Sequence, residues 1–398
     1  MDKENKLLNR KTKNIKNEST FISNKNNNKD IPNNKKENKE KKRLIKSFNV
    51  NYSNPKNIDF INILTLDTFS GDSLGFIFSD TFCVFISIND IFYVIYTNEN
   101  KSILSYDLIN NKKINEIKNA HKNYITNFRH YLDEYNKRDL ILSICCEENN
   151  IRLWSLNTWD LILDIQKING DGLLRSACFL YDSNNIYIVT SFYNYSYNFS
   201  IEPIKVFDLK GNKIKEIQNS KDITFFIDNY YDKKLNKNYL VTANSGNVKS
   251  YDFNENKIYF KYFDNDKIYK VFHYIIINDN KEIIEFIGLA NDNNIRIWNF
   301  HTGDLLKIIY VKNNDILSYN LLTSICLWNN DYFFVGSSDK IIKLVELETG
   351  EIIGNLYGHN NEVLSIKKII HPKYGECLIS QGIGNEYIKL WINQIYNL

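Results

Sequence analysis

The 398 residues carry a net charge of +3, and their most apolar run, Phe76–Thr97, is interrupted by Asp80, Asn89 and Asp90, which excludes a membrane span. None of the six cysteines forms a Cys-x-x-Cys pair or has a histidine at ligand spacing, so we expect no metal site and no cofactor. The first residues lack the apolar core of a secretory signal, so we expect an intracellular protein, in the cytoplasm or the nucleus.

The first 47 residues differ in charge from the rest of the chain. They hold 15 basic and 6 acidic residues, whereas the remainder holds 35 basic and 41 acidic residues. Because this segment has few apolar residues and no helical or alternating period, we predict that residues 1–47 form a disordered tail. Its basic cluster, Lys35–Arg43, has two interpretations: an import signal or contact with nucleic acid, or a solvated tail, which we favour.

A short apolar strand that ends in an aromatic residue recurs along the remaining chain. The position is filled in turn by Tyr106, Trp154, Phe207, Tyr251, Trp298, Val345 and Trp391, with one aliphatic exception. Successive copies lie 44 to 53 residues apart. A repeat of this size is typical of an array of one supersecondary unit. Aromatic-rich runs bounded by Asn and Asp indicate strands joined by polar turns.

These repeats resemble those of WD-repeat β-propellers, in which each unit carries Gly-His near its start and Trp-Asp near its end. Gly358-His359 matches the first dipeptide, and Ala120-His121 differs from it by one residue. Three repeats keep the Trp and lose the Asp: Trp154-Ser155, Trp298-Asn299 and Trp391-Ile392. The resemblance implies an all-β fold: a seven-bladed β-propeller of four-stranded antiparallel blades over residues 58–398.

The predicted blades follow one another in chain order. Their limits are Phe82–Ile117, Ile125–Ile165, Leu174–Ile217, Ile223–Tyr262, Ile268–Tyr310, Leu321–Leu356 and Val363–Ile392, and only three strands fit in the last. Before them, Ile58–Phe69 is predicted to be a strand. In the family the first strand often joins the last blade, so we predict that Ile61–Leu66 completes it. Closure would pair strand edges that an open ring exposes.

The resemblance also implies a buried hydrogen-bond relay in each blade, formed by a His, a hydroxyl, an acidic residue and the Trp. The candidates are His121, Glu148, Trp154, Asp292, Trp298, Asp339, His359 and Trp391; the hydroxyl is not assigned. We interpret these residues as structural, because buried polar groups need partners. No glycine loop for phosphate, nucleophile elbow or paired-carboxylate motif is present, so no catalytic residue and no enzyme activity are predicted.

The candidate partner-binding residues lie in loops. Blade three has an insertion, Phe192–Phe199, whose Tyr193, Tyr195 and Tyr197 suit protein recognition. Packing within the hairpin explains them equally well. Loop position in the family adds Lys122, Tyr124, Asn291, Ser338, Asn360 and Glu362 to this set.

The resemblance implies a non-catalytic scaffold or adaptor that binds partner proteins within a larger complex. The alternative is a nuclear ribonucleoprotein or chromatin subunit whose basic tail contacts nucleic acid. Phosphoinositide binding is not expected. The lipid-binding propellers carry Phe-Arg-Arg-Gly, and the nearest segment here, Phe128-Arg129-His130, lacks the second Arg and the Gly.

Overall fold

The computed structural model describes residues 60–70, 81–166, 173–193, 203–217, 224–244, 247–262, 270–276, 284–289, 294–311, 322–329 and 331–393. These residues form strands and turns and contain no helix. The predicted tail, residues 1–47, lies outside the described residues and stays a prediction.

The strands pair into seven antiparallel sheets of four, which we call blades one to seven. Blade one holds β2 (Phe82–Ile86), β3 (Phe92–Thr97), β4 (Ile103–Asp107) and β5 (Lys112–Ile117); blade two holds β6 (Asn127–Asp133), β7 (Arg138–Cys145), β8 (Asn150–Ser155) and β9 (Leu161–Ile165). Blade three holds β10 (Leu173–Asp182), β11 (Asn185–Tyr193), β12 (Ile204–Asp208) and β13 (Lys213–Ile217); blade four holds β14 (Thr224–Asp232), β15 (Lys237–Asn244), β16 (Asn247–Asp252) and β17 (Lys257–Tyr262).

Blade five holds β18 (Lys270–Ile276), β19 (Ile284–Leu289), β20 (Asn294–Asn299) and β21 (Leu305–Tyr310); blade six holds β22 (Leu322–Leu327), β23 (Tyr332–Ser337), β24 (Ile342–Glu346) and β25 (Ile352–Leu356). Blade seven holds β26 (Val363–His371), β27 (Gly375–Gly382), β28 (Gly384–Asn393) and β1 (Phe60–Ser70). An all-β propeller of four-stranded antiparallel blades is therefore confirmed.

The last blade is completed by the N-terminal strand, as predicted. β1 runs antiparallel to β28, with Phe60 opposite Asn393 and Leu66 opposite Ile388. Leu66 is buried in a cluster that also contains residues of blade one, among them Val94, so β1 fastens the last blade to the first.

Each blade buries its apolar faces against two neighbours. Seven hydrophobic clusters are present in the described chain, and each combines side chains from two adjacent blades. Strand β3, with the sequence FYVIYT, is therefore buried at every position and does not alternate. The fourth strands, such as β9, are partly exposed because they lie at the rim.

A β-bulge recurs beside the aromatic position of every repeat. In blade two the pairing of the third and fourth strands shifts between Leu153 and Trp154, and the fourth strand carries the extra residue. The same shift occurs next to Tyr106, Phe207, Tyr251, Trp298, Val345 and Trp391. Because a bulge increases local twist, we expect the seven sheets to twist more strongly at this same position.

The residue after the aromatic caps the following turn. The Asp252 carboxylate accepts hydrogen bonds from the backbone N–H groups of Asn254 and Glu255, at 3.0 and 2.9 Å. Asn299, which replaces the Asp of the family pattern, accepts equivalent bonds from His301 and Thr302. The amide oxygen thus keeps the function of the lost carboxylate.

Candidate functional site

The order of strands places the predicted site residues at one end of the sheets. In an antiparallel meander, the turn between the second and third strands and the connection to the next blade leave from the same end. We call this end the His face, because the connections that carry His121 and His359 lie there. Among the described candidate partner-binding residues, those in these two kinds of loop are Lys122, Tyr124, Ser338, Asn360 and Glu362.

The structure brings the predicted relay residues of blade two together. The Trp154 indole N–H donates to the Ser143 hydroxyl oxygen at 2.8 Å, and Nε2 of His121 lies 2.8 Å from the same oxygen. On the other side of the ring, Nδ1 of His121 lies 3.1 Å from Oδ1 of Asn150. The Asn150 amide in turn donates to Oε2 of Glu148 at 3.0 Å.

The direction of these hydrogen bonds can be assigned from the groups at the two ends of the relay. A carboxylate only accepts, so Glu148 fixes the Asn150 amide with its nitrogen toward the acid and its oxygen toward His121. The Nδ1 atom of His121 then carries the proton, and Nε2 accepts from the Ser143 hydroxyl. Each buried polar group therefore has a partner, as expected of a structural relay.

His121 is only 2% exposed. Its burial, together with the charge of Arg152, lowers the pKa of the imidazole to about 4. The ring is therefore neutral at pH 7, which agrees with the single proton assigned to Nδ1.

Blade seven contains the same core arrangement. Nε2 of His359 lies 2.8 Å from the Ser380 hydroxyl, which also accepts the Trp391 indole N–H at 2.7 Å. In both blades the serine precedes the Trp by 11 residues. This constant offset is the signal that could have located the hydroxyl, and Ser143, Asn150 and Ser380 are the residues that sequence reasoning missed.

The other relay candidates are not described in the same series of hydrogen bonds. Trp298 is fully buried in blade five, while Asp292 lies outside the described residues. Asp339, in the turn of blade six, pairs with Lys343 on β24, the strand in which Val345 takes the place of the indole. Among the described residues, the hydrogen-bonded His, Ser and Trp are therefore found together in blades two and seven.

Two candidate partner-binding residues lie above the blade-two relay. Lys122 is exposed and its backbone N–H donates to Glu148. Its carbonyl accepts a hydrogen bond from the Lys101 ammonium at 2.7 Å, and that ammonium lies 5.4 Å from the centre of the Tyr124 ring. Lys101 belongs to the turn of blade one, so this loop is fixed by contacts to two blades.

The remaining candidates are more dispersed. Asn360 is exposed beside the blade-seven relay, and Glu362 and Ser338 are partly buried. Tyr193 ends strand β11, but its side chain, together with Tyr195, Tyr197 and Asn291, lies outside the described residues.

A channel of about 480 Å³ lies among the first strands of five blades. The segment compared with the lipid-binding motif lies on one of those strands, β6. Phe128 is fully buried, and the Arg129 guanidinium lies over the Phe226 ring at 5.5 Å. His130 stacks on Phe85 and contacts Asp139 at 2.7 Å. The side chains of Arg129 and His130 therefore already have contacts within the protein.

One group of side chains in the described part of the chain has metal-ligand character. The ligand atoms of His121, Cys145 and Glu148 all lie within 4.8 Å of one another. The sequence offered no sign of it, because the histidine and the cysteine are far apart in the chain.

In the part of the chain that the structure describes, no helix has the length and apolar character needed to span a bilayer. No family model matches the sequence. No curated protein matches it either.

Solved structures do match, and they number 1415 chains, so the fold by itself selects no function. One is the crystal structure of Raptor from Chaetomium thermophilum, with a TM-score of 0.61 and 13% sequence identity. The match covers 85% of this chain but only 29% of the Raptor chain. At this identity the likeness shows a common fold.

Proposed function

We propose that the protein is a non-catalytic scaffold, a seven-bladed propeller of the WD-repeat type that binds partner proteins through its His face within a larger complex. The observation that carries the proposal is the fixed loop of blade two, which presents Lys122 and Tyr124 above the buried His121 relay. Rigid loops suit recognition, because little conformational entropy is lost when they bind.

The contacts of that loop support its rigidity. Two consecutive backbone N–H groups, those of Lys122 and Asn123, donate to one oxygen of Glu148. The Lys101 ammonium holds the loop from the neighbouring blade. An exposed lysine and a tyrosine are thereby held in a set position.

The loop between blades six and seven is held in a similar way. His359 contacts Ser380 below it, and the Asn361 amide donates to the Ile383 carbonyl at 3.2 Å. The Ile383 backbone N–H donates to the Glu362 carbonyl at 2.8 Å. Asn360 is exposed at the tip.

The buried histidines support a structural role over a catalytic one. His121 is neutral, is almost without exposure and uses both ring nitrogens in hydrogen bonds. A general base must reach its substrate, and this imidazole lies beneath the loop. We therefore propose that the relay serves the loops and not a reaction.

The test is affinity capture from native extract followed by mass spectrometry. The variant combines Lys122→Glu with Asn360→Arg, two exposed positions on the His face. The matched control is Tyr135→Ala, since Tyr135 is 94% exposed at the opposite end of blade two. We expect the His-face variant to lose partners that the control keeps. If the folded double variant retains the full partner set, the His face is not the binding surface.

The charge of the first 47 residues favours a second function, contact with nucleic acid. Phosphate binding by Lys and Arg weakens steeply as salt rises. Deleting residues 1–47 should then abolish a salt-sensitive retention on nucleic acid. Unchanged retention after the deletion would exclude this alternative.

A further inference from the structure

We propose that His121, Cys145 and Glu148 form a binding site for one Zn²⁺ ion at the His face of blade two. Their ligand atoms lie within 4.8 Å of one another, and Nδ1 of His121 is 4.0 Å from Oε1 of Glu148. Zinc holds nitrogen, sulfur and oxygen ligands at about 2.0–2.3 Å, so the group must contract by about one ångström. This inference does not rest on the proposed scaffold function.

The fold brings the three ligands together from separate elements. His121 lies on the connection into blade two, Cys145 ends strand β7, and Glu148 lies in the turn before β8. His121 and Cys145 are buried, and Glu148 is partly exposed. The partly exposed carboxylate provides a path by which an ion can enter.

The charges of the group match a divalent cation. Binding would replace the thiol proton of Cys145, which is released to solvent, and leave one thiolate and one carboxylate beside a neutral imidazole. The two negative charges then neutralise Zn²⁺. A neutral assembly is what a largely buried site requires.

The surrounding hydrogen bonds allow His121 to serve as a ligand. If the imidazole proton moves from Nδ1 to Nε2, the ring donates to the Ser143 hydroxyl oxygen, and Ser143 can donate to the Arg152 carbonyl at 3.5 Å. The lone pair of Nδ1 is then available to a cation, and Oε1 of Glu148 lies 4.0 Å from this nitrogen. The Asn150 Oδ1 atom, 3.1 Å from Nδ1, becomes available as the fourth ligand of the metal. Metal-bound histidines usually have such a partner on the second nitrogen.

Blade seven shows that the relay does not need the thiol or the acid. Ser380 corresponds to Ser143 by its offset from the Trp, and the equivalent of Cys145, two residues later, is Gly382. The acidic position is Asn385. His359, Ser380 and Trp391 still form their hydrogen bonds there. Cys145 is thus an addition to the relay in blade two, and Glu148 is the acidic member of the relay that blade seven lacks.

The test uses Co²⁺ as a spectroscopic probe on the full chain after removal of metal. Tetrahedral Co²⁺ bound to a thiolate absorbs in the near ultraviolet through sulfur-to-cobalt charge transfer. We expect this band at one equivalent and its loss when Zn²⁺ displaces the cobalt. Glu148→Gln should weaken Zn²⁺ binding at least about tenfold.

Cys145→Ser should abolish the band, whereas Cys146→Ser should keep it. Cys146 is the matched control, a buried neighbour whose sulfur contacts the Thr126 hydroxyl at 2.9 Å outside the group. Circular dichroism checks the fold of each variant. A folded wild-type chain without the band, or a band that persists in Cys145→Ser, overturns the proposal.

X-ray absorption at the zinc edge tests the wild-type chain without any variant. We expect one sulfur neighbour at about 2.3 Å together with nitrogen or oxygen neighbours at about 2.0–2.2 Å. A spectrum of bound Zn²⁺ that lacks sulfur overturns the site even if Cys145→Ser fails to fold.

Discussion

The Ser143 hydroxyl occupies the point where two larger buried groups meet. It accepts the Trp154 indole N–H and lies against Nε2 of His121, so one small side chain satisfies both rings. Neither ring can reach water, since both are buried. This hydroxyl therefore contributes more to the free energy of unfolding than the hydroxyl of a serine at the surface.

We expect Ser143→Ala to lower the free energy of unfolding by about 1–3 kcal/mol, because the indole N–H and the imidazole nitrogen lose their partner. Equilibrium unfolding in urea measures the change. Thr158→Ala, at an exposed turn of the same blade, is the control and should change stability by less than about 0.5 kcal/mol. Equal effects of the two substitutions would contradict the relay.

The sequence allowed part of this relay to be predicted. The resemblance to WD repeats implied His121, Glu148 and Trp154. Ser143 was not chosen, because its offset from the Trp is recognised as meaningful only once the pairing of β7 with β8 is known. Asn150 was missed because its amide links the acid to the histidine only once the turn has formed.

At the scale of the element, β1 precedes the other strands in sequence and completes the blade formed by β26, β27 and β28. It pairs with β28 along most of that strand and buries Leu66 against blade one. Without it, β28 would present an unpaired edge. The resemblance to WD repeats predicted this pairing correctly, but not the bulge between Asn62 and Leu64, which depends on local backbone geometry.

Deletion of residues 1–70 should destabilise the propeller, whereas deletion of residues 1–47 should not. Burying one leucine such as Leu66 contributes roughly 2 kcal/mol, and the lost backbone pairing adds to this cost. Urea unfolding measures stability, and size-exclusion chromatography detects association through the exposed edge. A chain lacking residues 1–70 that remains monomeric and as stable as the intact protein would contradict the role of β1.

At the scale of the whole molecule, stability is distributed over junctions between blades. Every junction has its own apolar cluster, and polar contacts add to some of them. At the junction of blades seven and one, the His371 ring accepts the Lys373 backbone N–H at Nδ1, at 3.1 Å, and Nε2 donates to the Leu108 carbonyl at 3.3 Å. These bonds require a neutral ring with its proton on Nε2.

Burial lowers the pKa of His371 below its ordinary value of 6.5. A histidine with a lowered folded pKa stabilises the protein above the unfolded value, and this contribution is lost as pH falls below about 6.5. We expect the free energy of unfolding to decrease in that range. His371→Asn, whose amide oxygen can still accept the Lys373 N–H, should show a smaller decrease. Identical pH profiles for the two proteins would exclude this role.

The architecture was the most predictable level of the molecule. A repeat that spans the chain is a pattern that single departures, such as Val345 in place of an aromatic, do not erase. Contacts between blades were not predictable, because side chains such as Lys101 and Arg129 reach a loop or a strand of another blade in directions that spacing does not encode.

The position of β1 also constrains the order of events during synthesis. β1 precedes the other described strands and its partner β28 follows them, so the two can pair only after all the strands between them have been synthesised. Pairing at such a distance along the chain is slow compared with the formation of a local hairpin. The nascent protein therefore carries an unpaired strand and an incomplete propeller while the intervening blades are synthesised. This is the interval in which chaperones would protect it from aggregation.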